Sequence, residues 1–157
     1  MPSITGKYQH YKNENIDEYF LAVGVPYIGR KMMSFSSPLM EITLDGDKMT
    51  IKNVSLFRTI EHSFKLNEEY EEHMPNTKIK GTYKYSQTTT EYERNFCSIF
   101  QSKTVIVNDN EMMTESVIPE TGAKCGRHYT FSDEGCVITL THEKAATPGK
   151  RYFKRVS

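Results

Sequence analysis

Only one stretch of this chain keeps a helical period, and it is set in a sequence that otherwise alternates like strands. Glu14 to Phe35 reads as two short helices joined by a tight turn. Asn15 is placed to cap the first helix, and Glu18 three residues on gives capping-box spacing. Ile16, Phe20 and Val23 then share one face. Gly24 stops that helix, and Pro26 suits the first turn of the next, where a missing N–H costs nothing. Ile28, Met32 and Phe35 form the apolar face of the second helix, with Arg30 and Lys31 beside it. Pro38 forbids further helix. A lone helical hairpin near the start of a β chain reads as a plug or lid rather than a core.

The strands follow in order. Gly6 to Tyr11 opens the chain. Met40 to Leu44 alternates, Asp45-Gly46-Asp47 turns, and Lys48 to Val54 returns, a hairpin with a turn mechanism because glycine accepts positive φ. Thr59 to Leu66 and Asn67 to Glu72 continue the pattern. Thr104 to Val107 runs through an Asn108-Asp109-Asn110 turn to Val117. Lys124 to Phe131 and Cys136 to His142 flank Ser132-Asp133-Glu134-Gly135, and Arg151 to Val156 closes the chain. Short strands at near-regular spacing predict a sandwich or a closed barrel.

Composition narrows the partners. The 157 residues suit a single domain with a sizeable core. Lys plus Arg equals Asp plus Glu at 20 each, so no net field draws nucleic acid or a strongly anionic membrane. Cys97, Cys125 and Cys136 are an odd number without framework spacing. No apolar run approaches membrane-spanning length and the N-terminus lacks a signal core, so the reading is cytoplasmic. The acidic cluster Glu68, Glu69, Glu71 and Glu72 is expected to be a solvated strand face rather than a metal site. His10, His62, His73, His128 and His142 are scattered, without a nucleophile elbow or metal-ligand spacing. No catalytic residue, metal or cofactor is expected, and no enzyme.

Several motifs, taken in order, carry a family resemblance. They are Gly6-Lys7-Tyr8, Asn15-Ile16-Asp17-Glu18-Tyr19, Gly24-Val25 with Arg30, Asp45-Gly46-Asp47, Ser55-Leu56-Phe57-Arg58, the run Phe64 to Glu72, Ile138 to His142, and Arg151 to Arg155. The chain resembles the cytosolic fatty-acid-binding proteins of the intracellular lipid-binding family, with Tyr8 where the family has Trp. The resemblance covers nearly everything but about two dozen residues between Thr77 and Ser102. It implies an all-β fold, a flattened antiparallel barrel of about ten strands capped by a helix-turn-helix lid. It also implies one lipid-binding domain over 1–157 with a family-atypical insertion around 77–102. Lys78 to Tyr85 and Phe96 to Ser102 are expected to extend neighbouring strands or to pair as an added hairpin, with polar Ser86 to Glu91 as its tip.

The function implied is non-covalent binding and intracellular transport of long-chain fatty acids, or a similar anionic lipid, by a monomer. An acyl chain gains about 0.8 kcal/mol per buried CH₂ in an apolar cavity, and its carboxylate needs a paired donor such as a guanidinium fork. Arg151 matches the family's last-strand arginine, whereas Phe153 stands where a partner tyrosine is usual. Tyr129 occupies the place of the other arginine, and Arg127 two residues earlier lies on the same strand face. Phe57 matches the portal phenylalanine. Ile16, Phe20 and Met32 either pack the lid or line the ligand. Met40, Ile51, Ile138 and Leu140 are cavity or core positions. The lid, with Arg30 and Lys31, implies transient membrane contact. Rival readings are a hidden esterase, a secreted lipocalin-like carrier, and a ligand-degenerate barrel that binds a protein through the insertion.

Overall fold

Alternating side chains give the strands of this chain one wet and one dry face, and closing the sheet on itself buries the dry one. The computed structural model describes residues 4–56, 59–73, 78–85, 88–95, 99–119 and 122–157. The order is β1 (Gly6–Glu14), α1 (Ile16–Val23), α2 (Tyr27–Phe35), β2 (Leu39–Asp45), β3 (Lys48–Val54), β4 (Thr59–Lys65), β5 (Glu69–His73), β6 (Lys78–Tyr85), β7 (Thr88–Asn95), β8 (Ile99–Asn108), β9 (Glu111–Val117), β10 (Lys124–Phe131), β11 (Gly135–His142) and β12 (Gly149–Arg155). Ten strands make one antiparallel sheet in the order β4-β3-β2-β1-β12-β11-β10-β9-β8-β5. Its edges, β4 and β5, come back to face each other without a ladder between them, so the barrel is nearly closed.

The hairpin turns gather at one end, and there the interior is apolar. Tyr8, Met40, Ile42, Met49, Met112 and Phe131 are buried in one core, Tyr8 directly opposite Met40 in the β1–β2 register. Tyr8 and Phe131 meet at 5.7 Å between ring centres, and Phe64 stacks on Tyr70 at 4.2 Å. Gly46 takes φ +62°, as its turn requires.

The helical hairpin closes the other end, held mainly by α1. Ile16 and Tyr19 are buried, Phe20 and Val23 half-buried. Gly149 at the start of β12 leaves room for them: a Cβ there would lie 3.0 Å from Ile16 Cδ1 and 3.1 Å from Tyr19 Cβ. Gly24 ends α1 at φ +96°. The expected capping box does not form. Asn15 is itself left-handed, and its amide donates to the carbonyls of Thr147 and Pro148 at 3.3 and 3.1 Å, tying the lid to the β11–β12 turn instead. Helix α2 buries no residue, and the apolar face Ile28, Met32 and Phe35 lies open to solvent, Phe35 at 78 %.

The region between β5 and β8 also corrects the sequence expectation. Lys78–Tyr85 pairs with Thr88–Asn95 in a separate two-stranded sheet, not with Phe96 to Ser102. Thr88 to Glu91, expected in the tip, belong to the second strand, while Ile99 to Ser102 begin β8 of the barrel. Phe57, Ser86, Gln87, Phe96 and Cys97 lie outside the described residues.

Candidate functional site

Beyond the apolar floor the barrel wall turns polar, and two arginines project from it in unlike surroundings. Successive inward positions of β10, β11 and β12 line up across the register. Arg127 sits opposite Leu140 and Leu140 opposite Gly149; Tyr129 sits opposite Ile138 and Ile138 opposite Arg151; Cys136 links Phe131 to Phe153 in the next row. Arg127 and Tyr129 therefore share a face, as their spacing dictates. They do not share it on equal terms with Arg151.

Arg127 is already paired. Its Nη2 donates to Glu72 Oε2, a buried carboxylate on β5 that also accepts from Ser102 Oγ at 3.0 Å. Glu72 was expected on a solvated face with its neighbours; Glu68, Glu69 and Glu71 are exposed, but Glu72 points inward and is 3 % accessible. Hydroxyls continue the network along β8 and β9: Ser102 to Ser116 at 2.7 Å, Thr104 to Thr114 at 2.7 Å, and Tyr70 to Thr104 at 2.8 Å. Burial works against the Arg127 cation, yet the Tyr129, Glu72 and Tyr70 oxygens around it push its pKa above the ordinary arginine value. The Tyr129 phenol goes up to about 12, chiefly through burial, so it stays a neutral donor. Losing one member of such a buried pair strands the other charge, at about 3–5 kcal/mol. A cavity of about 30 Å³ adjoins the pair, lined by Ile51, His62, Phe64, Thr114 and Tyr129 among others. It has the size for ordered water, not for an acyl chain.

Arg151 is a different kind of cation. Its Nε donates to Asn13 Oδ1 at 3.3 Å and its Nη2 to the Ser36 carbonyl at 3.1 Å, while the guanidinium carbon stands 5.9 Å from the Phe153 ring centre. All these partners are neutral. Among the described residues no carboxylate compensates it, and burial alone lowers its pKa from 12.5 to about 10. It remains charged at neutral pH, in a half-buried place that would gain from an anion.

Sequence reasoning overlooked the residues around Arg151. His10 and Asn13 belong to β1, where the register slips between His10 and Lys12, so Tyr11 turns out to solvent and Asn13 back in. His10 lies opposite Phe153 and Asn13 opposite Arg151. The two rings meet edge to face at 5.3 Å. A strict period of two would put Asn13 outside, and only the bulge reveals it.

The other expected residues divide. Met40, Ile51 and Ile138 are buried core, Leu140 packs against it half-buried, and Phe153 is 4 % accessible. Ile16 is buried under the lid, Phe20 is half-exposed beside Tyr19, and Met32 is exposed. Phe57 lies outside the described residues. Arg30 is held by Asp17 at 3.3 Å, and Lys31 lies over the Tyr27 ring at 5.4 Å. Tyr19 was missed as well; it hangs from α1 over the upper wall, and burial raises its phenol well above the usual value. Among the described residues no cluster of His, Cys, Asp and Glu could hold a metal.

The structure is thus a nearly closed ten-stranded barrel with a helical hairpin at one end, a partly polar interior, and one guanidinium that no carboxylate compensates among the described residues. The chain belongs to the lipocalin / cytosolic fatty-acid binding protein family, whose model matches residues 5–143. It is similar to sodium/calcium exchanger regulatory protein 1 of Doryteuthis pealeii, 39 % identical over 82 residues, 52 % of this chain and 62 % of that protein. It is also similar to a fatty acid-binding protein of Tyrophagus putrescentiae, 38 % identical over 72 residues, 46 % of this chain and 55 % of that one. The alignments thus span little more than half of these relatives. In fold it matches a Schistosoma mansoni fatty acid binding protein solved with arachidonic acid, at TM-score 0.75 and 22 % identity, covering 98 % of this chain and 96 % of the other.

Proposed function

We propose that this protein binds long-chain fatty acids one to one inside the barrel and carries them, without chemical turnover, with Arg151 as the carboxylate anchor. The observation that carries this is the contrast between the two interior arginines. Arg127 is neutralised by Glu72, whereas Arg151 keeps its charge among neutral partners. An incoming carboxylate completes the second without breaking the first. Tyr129 lines the same small cavity as Arg127 and Glu72, and we assign it to that pair rather than to the anchor. The acyl chain requires more room than the water-sized cavity beside that pair, so uptake involves displacement of the lid or separation of β4 from β5.

The family and the fatty acid-binding proteins among its relatives support the lipid reading. The chain acts as a cytoplasmic monomer, one domain over 1–157, with the β6–β7 hairpin as an accessory within residues 77–102. Helix α2, with Tyr27, Ile28 and Phe35 exposed and Lys31 alongside, provides transient contact with membranes during transfer. Calorimetric titration with oleate tests the reading. Saturable one-to-one binding with a negative heat-capacity change is expected, because apolar surface is buried. Absence of displaceable binding for any fatty acid would overturn it.

A further inference from the structure

The bulge in β1 places an imidazole within one shared hydrogen-bond acceptor of Arg151. His10 Nε2 lies 2.7 Å from Asn13 Oδ1, the same oxygen that accepts from Arg151 Nε at 3.3 Å. A guanidinium only donates, so the Asn13 atom between them is the amide oxygen, and His10 Nε2 must carry a proton. The opposite nitrogen, Nδ1, faces Ser37 Oγ at 3.4 Å. That hydroxyl donates to the His10 carbonyl at 2.7 Å, and it accepts from Gln9 Nε2 at 3.3 Å. With the serine proton engaged elsewhere, Nδ1 gains a full hydrogen bond there only when it too is protonated. The pocket is thus shaped for an imidazolium.

In the structure as it stands the imidazolium is disfavoured. Burial is the first cause and the Arg151 charge the second, and both depress the His10 pKa below its ordinary value, against smaller support from Asn13 and the Lys12 backbone. The groups that face His10 are Arg151 and Phe153 from β12, Ser37 from the connection after α2, and Asn13 on its own strand. No carboxylate among the described residues is one of them. A ligand carboxylate at Arg151 would reverse the electrostatic sign at this spot.

We infer that His10 is the second head-group residue of the site, taking up a proton as an anionic lipid binds at Arg151 and adding a second positive charge beside the head group, where Phe153 offers no donor. This rests on the reading of Arg151 as carboxylate anchor. The mechanism is linkage: the anion cancels the Arg151 field, His10 becomes protonated, and Nδ1–H closes onto Ser37 Oγ while Nε2–H stays on Asn13 Oδ1, so the new positive charge acts on the head group from beside Arg151. Because the complex binds more protons than the empty protein, affinity falls as pH rises through the histidine range. Selectivity follows too. A neutral ester cannot trigger the proton uptake, so His10 discriminates acid from ester in addition to the direct pairing with Arg151.

The test uses the intact chain and hexadecyl sulfonate, whose head group stays ionised throughout, so any pH slope belongs to the protein. Isothermal titration from about pH 6 to about pH 8, in two buffers of different ionisation enthalpy, reads both affinity and protons taken up. Wild type should lose several-fold in affinity across that range, up to about tenfold per pH unit for one proton. His10→Leu should abolish the slope and the proton uptake, matching wild type best at the alkaline end. His10→Gln, which keeps a polar partner for Asn13 but does not titrate, should do the same and guards against a leucine variant that fails to fold. Sulfonate binding with no pH slope in wild type, or an unchanged slope in His10→Gln, overturns the role of His10 alone. If neither the sulfonate nor oleate binds wild type at any pH, the anchor reading fails and this inference with it.

Discussion

Arg151→Met separates what an anchor does for the ligand from what it does for the fold. Burial lowers the Arg151 pKa from 12.5 to about 10. At about 1.4 kcal/mol per unit, holding that charge inside costs the empty protein roughly 3 kcal/mol. The same guanidinium donates to Asn13 and to the Ser36 carbonyl. Those two bonds, to acceptors that keep His10 or solvent as alternatives, return about 1 kcal/mol each. Methionine removes the charge, fills similar volume and packs beside Phe153. The net expectation is an empty protein more stable by about 1 kcal/mol, up to about 3 kcal/mol if water replaces the lost bonds fully. The sign also predicts the pH dependence. Between pH 10 and 12.5 the unfolded chain binds the proton that the folded one releases, so wild-type stability rises with pH there and the advantage of methionine shrinks. Urea denaturation at constant m measures the first quantity. Titration with oleate and its methyl ester measures the second: the acid should weaken by at least about tenfold, 1.4 kcal/mol, and the ester much less. A variant that unfolds earlier than wild type, with acid and ester weakened alike, would show that Arg151 is structural.

Three further expectations follow from other parts of the barrel. Glu72→Gln should destabilise by about 3 kcal/mol or more by stranding Arg127, and a double replacement with Arg127→Met should recover much of the loss; equal, additive losses in a double-mutant cycle would refute the pair. Gly149→Leu should loosen the lid, because its side chain collides with Ile16 and Tyr19, and so speed fatty-acid dissociation in stopped flow; an unchanged dissociation rate would place the barrier elsewhere. Deleting the β6–β7 hairpin should leave a barrel that folds and binds oleate, since those strands pair only with each other among the described residues; an insoluble or non-binding deletion would make the hairpin part of the fold.

The sequence made the frame legible where local chemistry and tertiary structure agree. Gly46 and Gly24 mark a turn and a helix end through a conformation that other residues resist, and both hold. The period-two pattern finds most strands for the same reason. Asn15 misled because its side chain serves a distant turn: tertiary carbonyls outcompete the local N–H groups it could have capped. Glu72 is one charge in a run of four, and nothing local says that Arg127, far along the chain, waits across the barrel. The β7 strand, rich in threonine, glutamate and tyrosine, lacks the apolar alternation that marks a half-buried strand, so its pairing with β6 was not visible. The site around Arg151 was half legible: the arginine stands in a recognisable terminal run, but His10 and Asn13 reach it only through a bulge that a fixed period cannot express.

Carbon-13 NMR of oleate labelled at its carboxyl, bound to wild type and to Arg151→Met, tests the central claim most directly. The account predicts a discrete bound resonance in wild type that stays ionised well below the ordinary carboxylic range of about 4–5, because a buried guanidinium holds the anion. In Arg151→Met the residual bound signal should shift and titrate at or above that range. A wild-type carboxyl that titrates like one in water, at the same pH in both proteins, would contradict the assignment of Arg151 as the anchor.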